Sequence, residues 1–265
     1  MFADAHIHLV DLEGRDPAFA ARFAAGPYLA CAASHDEGEF HRTVELAAAV
    51  DAARPSLPAL SLSFGIHPQW AVWKNADFLA TLAAGRRISA IGEAGFDFFG
   101  DRPERVRNEE NERVQRDVFE FQLALAERHG LPMVLHVRKA MDRVFAASKR
   151  LARLPAIVLH SYQGTAREGA DLLARGANAY FSFGAAILNG HKRAIEACAL
   201  LPEDRLLSET DAPWQPPRGS PYCRFEAIAD VVRGMAALRG TDAAYLEAVL
   251  ETNFRRAYSA APLHP

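Results

Sequence analysis

Pro132-Met133-Val134-Leu135-His136 and Ala156-Ile157-Val158-Leu159-His160 are short apolar runs, each ending in a histidine. The residues between them carry helical patterning. A strand, a helix and a second strand, with both strands apolar throughout, is the pattern of a parallel unit buried on both faces. The same rhythm extends in both directions along the chain. Further strands are expected at 2–7, 28–33, 59–64, 88–92, 178–182 and 205–208, which brings the total to eight. The clearest helix ends at Gly130, where Val114, Val118, Phe121 and Leu125 set an apolar stripe on one face. Gly130 stands where a helix-ending glycine is expected, and Pro132 follows it; Gly176 closes a helix near 165–175 in the same way. The last two helices, near 224–238 and 242–259, have no strand after them. Eight parallel strands bury both sheet faces by closing on themselves, so the expected fold is α/β, a (β/α)8 TIM barrel. An open doubly wound sheet would carry a glycine-rich phosphate loop after its first strand, and none is present. The rhythm runs to the end without an internal boundary, so residues 1–265 are expected to form a single domain.

Composition narrows the classes of function. Half of the 265 residues are apolar, enough for a sizeable core, and the net charge is −3. The whole molecule is therefore no general magnet for polyanions, and any such contact needs metal ions or a local cluster of arginines. Cys31, Cys198 and Cys223 are odd in number and lack CxxC spacing, which fits a reducing compartment better than a disulfide framework. Met1 leads directly into Phe2-Ala3-Asp4 without a basic, apolar leader, and no stretch approaches the roughly 20 apolar residues of a membrane span. A cytoplasmic protein with no membrane partner is expected, with a monomer as the favoured state.

The metal-capable side chains fall at one edge of the expected strands. His6 and His8 end the first strand, about 6.6 Å apart along it and pointing the same way. His67 follows the third strand, Glu93 ends the fourth, His136 the fifth and His160 the sixth, and Asp211 follows the eighth. In a barrel all these ends meet at the catalytic mouth. So many ionisable groups crowded together are costly unless cations bind them. Six donors exceed the needs of one Zn²⁺ with an open position, so two divalent cations sharing a carboxylate fit better. Glu93 is the expected bridge; one ion would take His6, His8 and Asp211, the other His136 and His160. Imidazoles favour Zn or Mn over Mg, and all three stay open. His35, His41, His191 and His264 are read as satisfied structural histidines, and His129 as a charge suited to a helix C-terminus.

Several motifs carry a resemblance to a known family: Asp4-Ala5-His6-Ile7-His8-Leu9, Gly65-Ile66-His67-Pro68, Ala90-Ile91-Gly92-Glu93-Ala94-Gly95-Phe96-Asp97, Gln122-Leu123, Leu131-Pro132, His136-Val137-Arg138-Lys139-Ala140 and Glu209-Thr210-Asp211-Ala212-Pro213. In this order, over nearly the whole chain, they resemble the TatD family of metal-dependent deoxyribonucleases within the amidohydrolase superfamily. The resemblance implies a 3′-to-5′ exonuclease that hydrolyses phosphodiester bonds of DNA and sometimes RNA. It implies His6, His8, Glu93, His136, His160 and Asp211 as metal ligands. Asp211 would also orient or deprotonate the attacking water, and His67 would meet phosphate or leaving group.

Other substrate contacts are expected nearby. Arg138 is the candidate phosphate clamp, because a guanidinium fork matches phosphate oxygens. Where many members have His-x-Phe-x-Gly, this chain reads His160-Ser161-Tyr162-Gln163-Gly164, which keeps an aromatic ring at Tyr162 on the substrate side. Trp70 and Trp214 lie on mouth loops where they could stack bases, whereas Phe98 and Phe99 are expected to pack their loop on the barrel. The family's Asn-Glu-Pro segment is replaced by Arg224-Phe225-Glu226-Ala227, with Glu226 expected to hold Arg138 or Arg218. The competing reading is a C–N or ester hydrolase on the same two-metal barrel, aminoacyl-tRNA ester cleavage included. Many two-metal amidohydrolases place a modified lysine where Glu93 stands, which favours the nuclease. A barrel kept only for binding would have lost a ligand, and none is missing.

Overall fold

Each of the eight apolar runs forms a strand: β1 (Phe2–Ile7), β2 (Tyr28–Ser34), β3 (Ser61–Phe64), β4 (Ala90–Asp97), β5 (Met133–Arg138), β6 (Ile157–Leu159), β7 (Ala179–Phe183) and β8 (Leu206–Ser208). They pair in chain order, all parallel, and β8 pairs back to β1 to close the barrel. The computed structural model describes residues 1–57 and 60–258. Ala59, at the start of the expected third strand, residue 259 of the last expected helix, and His264 lie outside the described residues. Two strands run more than one residue past their expected ends. The β4–β5 pairing continues from Ala94 and Leu135 to Asp97 and Arg138, so Glu93 and His136 lie within strands rather than at their ends.

The helices follow the caps written in the sequence. Asn108 accepts from the Asn111 amide to start Glu109–His129, and Gly130 ends that helix at φ 63°. Thr165 and Glu168 form a reciprocal capping box on Ala166–Ala174. The last two helices are Ile228–Arg239 and Ala243–Tyr258.

Alternation along the strands sorts their residues into two buried layers. Ala30, Ala32, Met133, Leu135, Ile157, Leu159, Phe181 and Leu206 pack into the large core that includes the helices. Their neighbours Leu29, Cys31, Val134, Val158, Tyr180 and Leu207 belong to a separate cluster, the filling of the ring. Continuing in steps of two along the inward set leads to His35, His136, His160 and Asp211.

Two strands break this alternation, and both breaks fall at expected ligands. In β1, Ala5 and His6 together oppose Cys31 of β2, since Asp4 pairs with Ala30 and Ile7 with Ala32. In β4, Gly92 and Glu93 oppose Val134, between the pairs Ile91–Met133 and Ala94–Leu135. Ala3 and Ala5 fill the ring whereas Ile7 faces the helices; Ala90 fills the ring whereas Ala94 faces the helices. Each bulge therefore reverses the facing of its strand, and turns His6 or Glu93 inward. Gly95 lets β4 lie against β5 beyond the bulge. A Cβ built there would stand 2.2 Å from the His136 carbonyl oxygen, and φ at Gly95 is +135°.

The C-terminal helix seals the other end of the ring. Phe254, Ala257 and Tyr258 join the inner cluster, and the Tyr258 hydroxyl donates to the Ala5 carbonyl (2.7 Å). The Met1 amino group meets Glu247 (3.1 Å) and Glu251 (2.8 Å) of the same helix. Cys31, Cys198 and Cys223 are buried free thiols. Among the described residues no helix is long and apolar enough to cross a membrane. The close β4–β5 approach predicts that Gly95→Ala costs about 1–3 kcal/mol of stability. Thermal denaturation checks this; an unchanged melting temperature would contradict the steric reading.

Candidate metal centre

Backbone bonds at the mouth bring the first and last strands to one point. The Asp211 amide donates to the His6 carbonyl and the His8 amide to the Ala212 carbonyl, both at 2.9 Å. Asp4, buried behind them, accepts from the amides of His6 (3.2 Å) and Thr210 (2.9 Å) and from the Thr210 hydroxyl. Burial pushes the Asp4 carboxyl up to about 7. Asp211 itself takes a left-handed φ of 55°, a conformation that these bonds hold in place.

Glu93 occupies the centre, 3% exposed, with its two oxygens facing different sets of imidazoles. Oε1 is 3.2 Å from His6 Nε2, 3.6 Å from His8 Nε2 and 3.1 Å from His35 Nε2. Oε2 is 2.9 Å from His160 Nε2, 3.3 Å from His136 Nδ1 and 3.4 Å from His67 Nε2. Asp211 Oδ1 completes the first side, 3.3 Å from His8 Nε2 and 3.9 Å from His6 Nε2. Burial alone would raise the Glu93 carboxyl, but His6, His160 and His67 hold it well below the usual carboxylate range. Burial lowers His67 to about 3, against the opposing pull of the Glu93 charge. Burial opposes the charged form of His8 too, but the Asp211 hydrogen bond and the Glu93 charge lift it to about 9.

The donor spacing fits metal ions. Two donors bound to one ion at about 2.0–2.1 Å and a tetrahedral angle stand about 3.3 Å apart. His6 Nε2 and His8 Nε2 are 3.2 Å apart, and His136 Nδ1 and His160 Nε2 are 3.3 Å apart. Buried nitrogens face each other across these gaps, an arrangement that a shared cation stabilises. His6, His8 and Glu93 form one group that could hold an ion; His6, His160 and Asp211 form another, and His67, Glu93 and His136 a third.

Other groups aim these side chains. His136 presents Nδ1 to the centre because Nε2 faces Asp97 Oδ2 at 3.0 Å. Asp97 also accepts from Gln69 Nε2 (2.7 Å), and Gln69 Oε1 accepts from Arg105 (2.7 Å). Burial works against the charge on Asp97, but the His136 and Gln69 hydrogen bonds hold its carboxyl well below the usual range. On the far side, Gln215 donates to Asp211 Oδ2 (2.6 Å) and accepts from the Ser161 hydroxyl (2.9 Å). Glu209 Oε1 takes the Ser161 amide (2.7 Å), 3.7 Å from His160 Nδ1.

The structure brings together all six expected ligands and His67, and it corrects several other expectations. His35 is no bystander: Ser34 carries β2 one step further, and the inward set Leu29, Cys31, Ala33 then delivers His35 to Glu93. Asp97 and Glu209 were quoted only as parts of motifs. The same steps of two, taken after the β4 bulge and along β8, reach both. Glu226 holds neither Arg138 nor Arg218. It pairs with Arg22 (2.9 Å) and Arg224 (3.3 Å), because the segment after β8 folds over the Phe19–Ala25 helix. Phe98 is buried as expected, but Phe99 is 44% exposed, with the Arg138 guanidinium 3.9 Å over its ring. Arg138 Nη1 also lies 3.6 Å from Asp97 Oδ2. Tyr162 lines the cleft with a buried ring, and its hydroxyl donates to the Thr165 carbonyl (2.8 Å). Trp70 and Trp214 stand open at the mouth, Trp214 donating to Asp11 (3.1 Å). His41 and His191 are exposed surface residues and not packed structural ones, and His129 sits in the last turn of its helix, as expected.

A closed parallel barrel with a buried cluster of histidines and carboxylates at the C-terminal ends of its strands defines a metal-dependent hydrolase. The family model "TatD related DNase" matches residues 3–259, and the chain belongs to that family. It is 36% identical over 205 residues to the 3′-5′ ssDNA/RNA exonuclease TatD of Erwinia tasmaniensis, covering 74% of this chain and 76% of the relative. It is also 36% identical over 207 residues to the enzyme of the same name from Cronobacter sakazakii, covering 73% and 75%. The crystal structure of YjjV, a TatD homologue from Escherichia coli K12, superposes with a TM-score of 0.80 at 26% identity over 98% of both chains. An uncharacterised amidohydrolase from Saccharomyces cerevisiae shares the fold, with a TM-score of 0.77 at 17% identity over 97% of this chain and 99% of its own.

Asp97 fixes which nitrogen His136 offers, so Asp97→Asn, which can also present an amide N–H to that ring, should weaken metal affinity roughly 10–100-fold. Titration of the stripped protein with Mn²⁺ or Zn²⁺ measures this. Unchanged affinity would mean that Asp97 does not orient the ring.

Proposed function

We propose that this protein is a 3′-to-5′ exonuclease on single-stranded DNA or RNA that uses two divalent cations bridged by Glu93. The division of the Glu93 oxygens between two sets of imidazoles carries this reading. His6, His8 and Asp211 would hold one ion, and His136 and His160 the other. Mg, Mn and Zn all suit a site of mixed imidazole and carboxylate donors. Bound there, divalent cations supply Lewis acidity toward a phosphoryl oxygen and acidify water near neutral pH.

The protein's own groups do the rest. Asp211 orients the attacking water and takes its proton. Arg138, steadied between Asp97 and the face of Phe99, offers its guanidinium to a phosphate oxygen. His67 and His35, on the two sides of Glu93, stand where they can meet phosphate or the leaving oxygen. Trp214 and Trp70 give open aromatic faces for bases, and Tyr162 contributes its ring to the wall. The cleft, about 1380 Å³, exceeds the roughly 300–1,000 Å³ that holds a small molecule, which favours a polymer over a small cyclic amide.

A 3′-labelled single-stranded oligonucleotide, assayed beside a generic phosphodiester and a panel of amides, tests this directly. Stepwise release from the 3′ end, lost on chelation and restored by Mg²⁺ or Mn²⁺, is the expected result; cleavage of amides alone would sink it. Glu93→Ala should lower metal content and turnover together, beyond the roughly 10–100-fold cost of losing an orienting partner. A folded variant with full turnover would refute the bridging role. His35→Ala is expected to lower kcat with the protein still folded. An unchanged kcat would return His35 to a structural role.

A further inference from the structure

The two banks of the cleft carry different chemistry. Trp70, after β3, and Phe99, after β4, give one bank an aromatic surface, and the same bank carries Arg102 and, over the Phe99 ring, Arg138 and Lys139. Across the ring, after β7, the bank is formed by His191, Lys192 and Arg193, all exposed and facing the same cleft. Several charges around the mouth are already neutralised, whereas Arg102 has no carboxylate partner among the described residues and Lys139 donates to the Phe99 carbonyl. Arg105 meets Asp101 (3.1 Å), and Arg107 meets Glu112 (2.6 Å) and Asp142. The lining carboxylates are likewise engaged: Glu168 caps its own helix and Asp11 accepts from Trp214. Lys192 and Arg193 have no carboxylate partner among the described residues.

This cationic pair is also held in register with the metal centre. Asn189, just before it, donates to the Pro216 carbonyl (3.0 Å) and accepts from the Arg218 amide (2.7 Å); the Arg218 guanidinium donates to the Asn189 carbonyl (3.2 Å). The loop so fastened is the one that carries Asp211, Trp214 and Gln215. Ala194 is fully buried and anchors the helix start beneath the two cations.

Resting on the phosphodiester reading above, we propose that Lys192 and Arg193 bind two backbone phosphates of a single-stranded nucleic acid at a distance from the bond being cut. A strand seated there crosses the ring from the aromatic bank to the cationic bank. The contact is made to phosphates alone, so it reads length and not sequence. It acts on binding and not on the chemical step.

The test compares wild type with Lys192→Gln/Arg193→Gln on single-stranded oligonucleotides of 2 and 12 nucleotides, across a series of salt concentrations. For the 12-mer, KM should rise on the order of tenfold with kcat unchanged, and the slope of log KM against log salt should fall by about 1.4, two phosphates' worth. For the dinucleotide, whose single phosphodiester is the bond being cut and which offers no further backbone phosphates, both constants should stay as they were. A control variant, Arg86→Gln/Arg87→Gln, removes the same charge at the start of β4, the far end of the barrel, and should leave the slope untouched. Unchanged KM and slope in the first variant, or an equal slope change in the control, would overturn the proposal while leaving the nuclease reading intact. A wild-type enzyme that cut no oligonucleotide would remove that reading itself, and this one with it.

Discussion

A buried carboxylate surrounded by imidazoles is the constraint to which the rest of the barrel answers. Glu93 is 3% exposed and lies within 3.6 Å of six histidine rings. Burying a charge so deeply is expensive unless partners surround it, and removing one partner leaves the others uncompensated. The fold meets this demand from both directions. The bulge at Gly92-Glu93 turns the carboxylate inward, and the bulge at Ala5-His6 turns the first imidazole to meet it.

Around that centre lies a ring of polar groups whose work is aim. Asp4 ties the first strand to the segment before Asp211, Asp97 sets the tautomer of His136, and Gln69 links Asp97 to Arg105. A metal site needs its donors fixed in direction as well as in place, and these bonds supply direction. The side chains that line the mouth then stand one layer further out. Arg138 leans on Asp97 and Phe99, and Trp214 on Asp11. Imidazoles, their orienting partners and the mouth side chains are thus stacked outward from one carboxylate.

How much of this could be read in advance divides along physical lines. The eight apolar runs and the helix-ending glycines Gly130 and Gly176 are local signals, and the barrel follows from them. The six candidate ligands were legible because each lies at or just past a strand. His35 was not, because its run looked finished at Ala33, and a lone histidine after a strand is ordinary. The bulges were invisible for a different reason. Which residue is extra depends on the hydrogen-bonding partner strand, and alternation within β1 or β4 alone gives the wrong facing for His6 and Glu93. Glu226 misled because residue order says nothing of the Phe19–Ala25 helix lying beneath it.

The joining of Met1 to Glu247 and Glu251, beside the Tyr258 bond to Ala5, has a practical meaning for handling the protein. The amino end and the final helix meet at the floor of the barrel, far from the opening. A purification tag, surface tether or fluorophore attached at Met1 therefore leaves the entrance unobstructed, though it costs the amino-terminal ion pairs. The same proximity of the first strand and the last helix suits the chain to being spliced there and reopened at a surface turn.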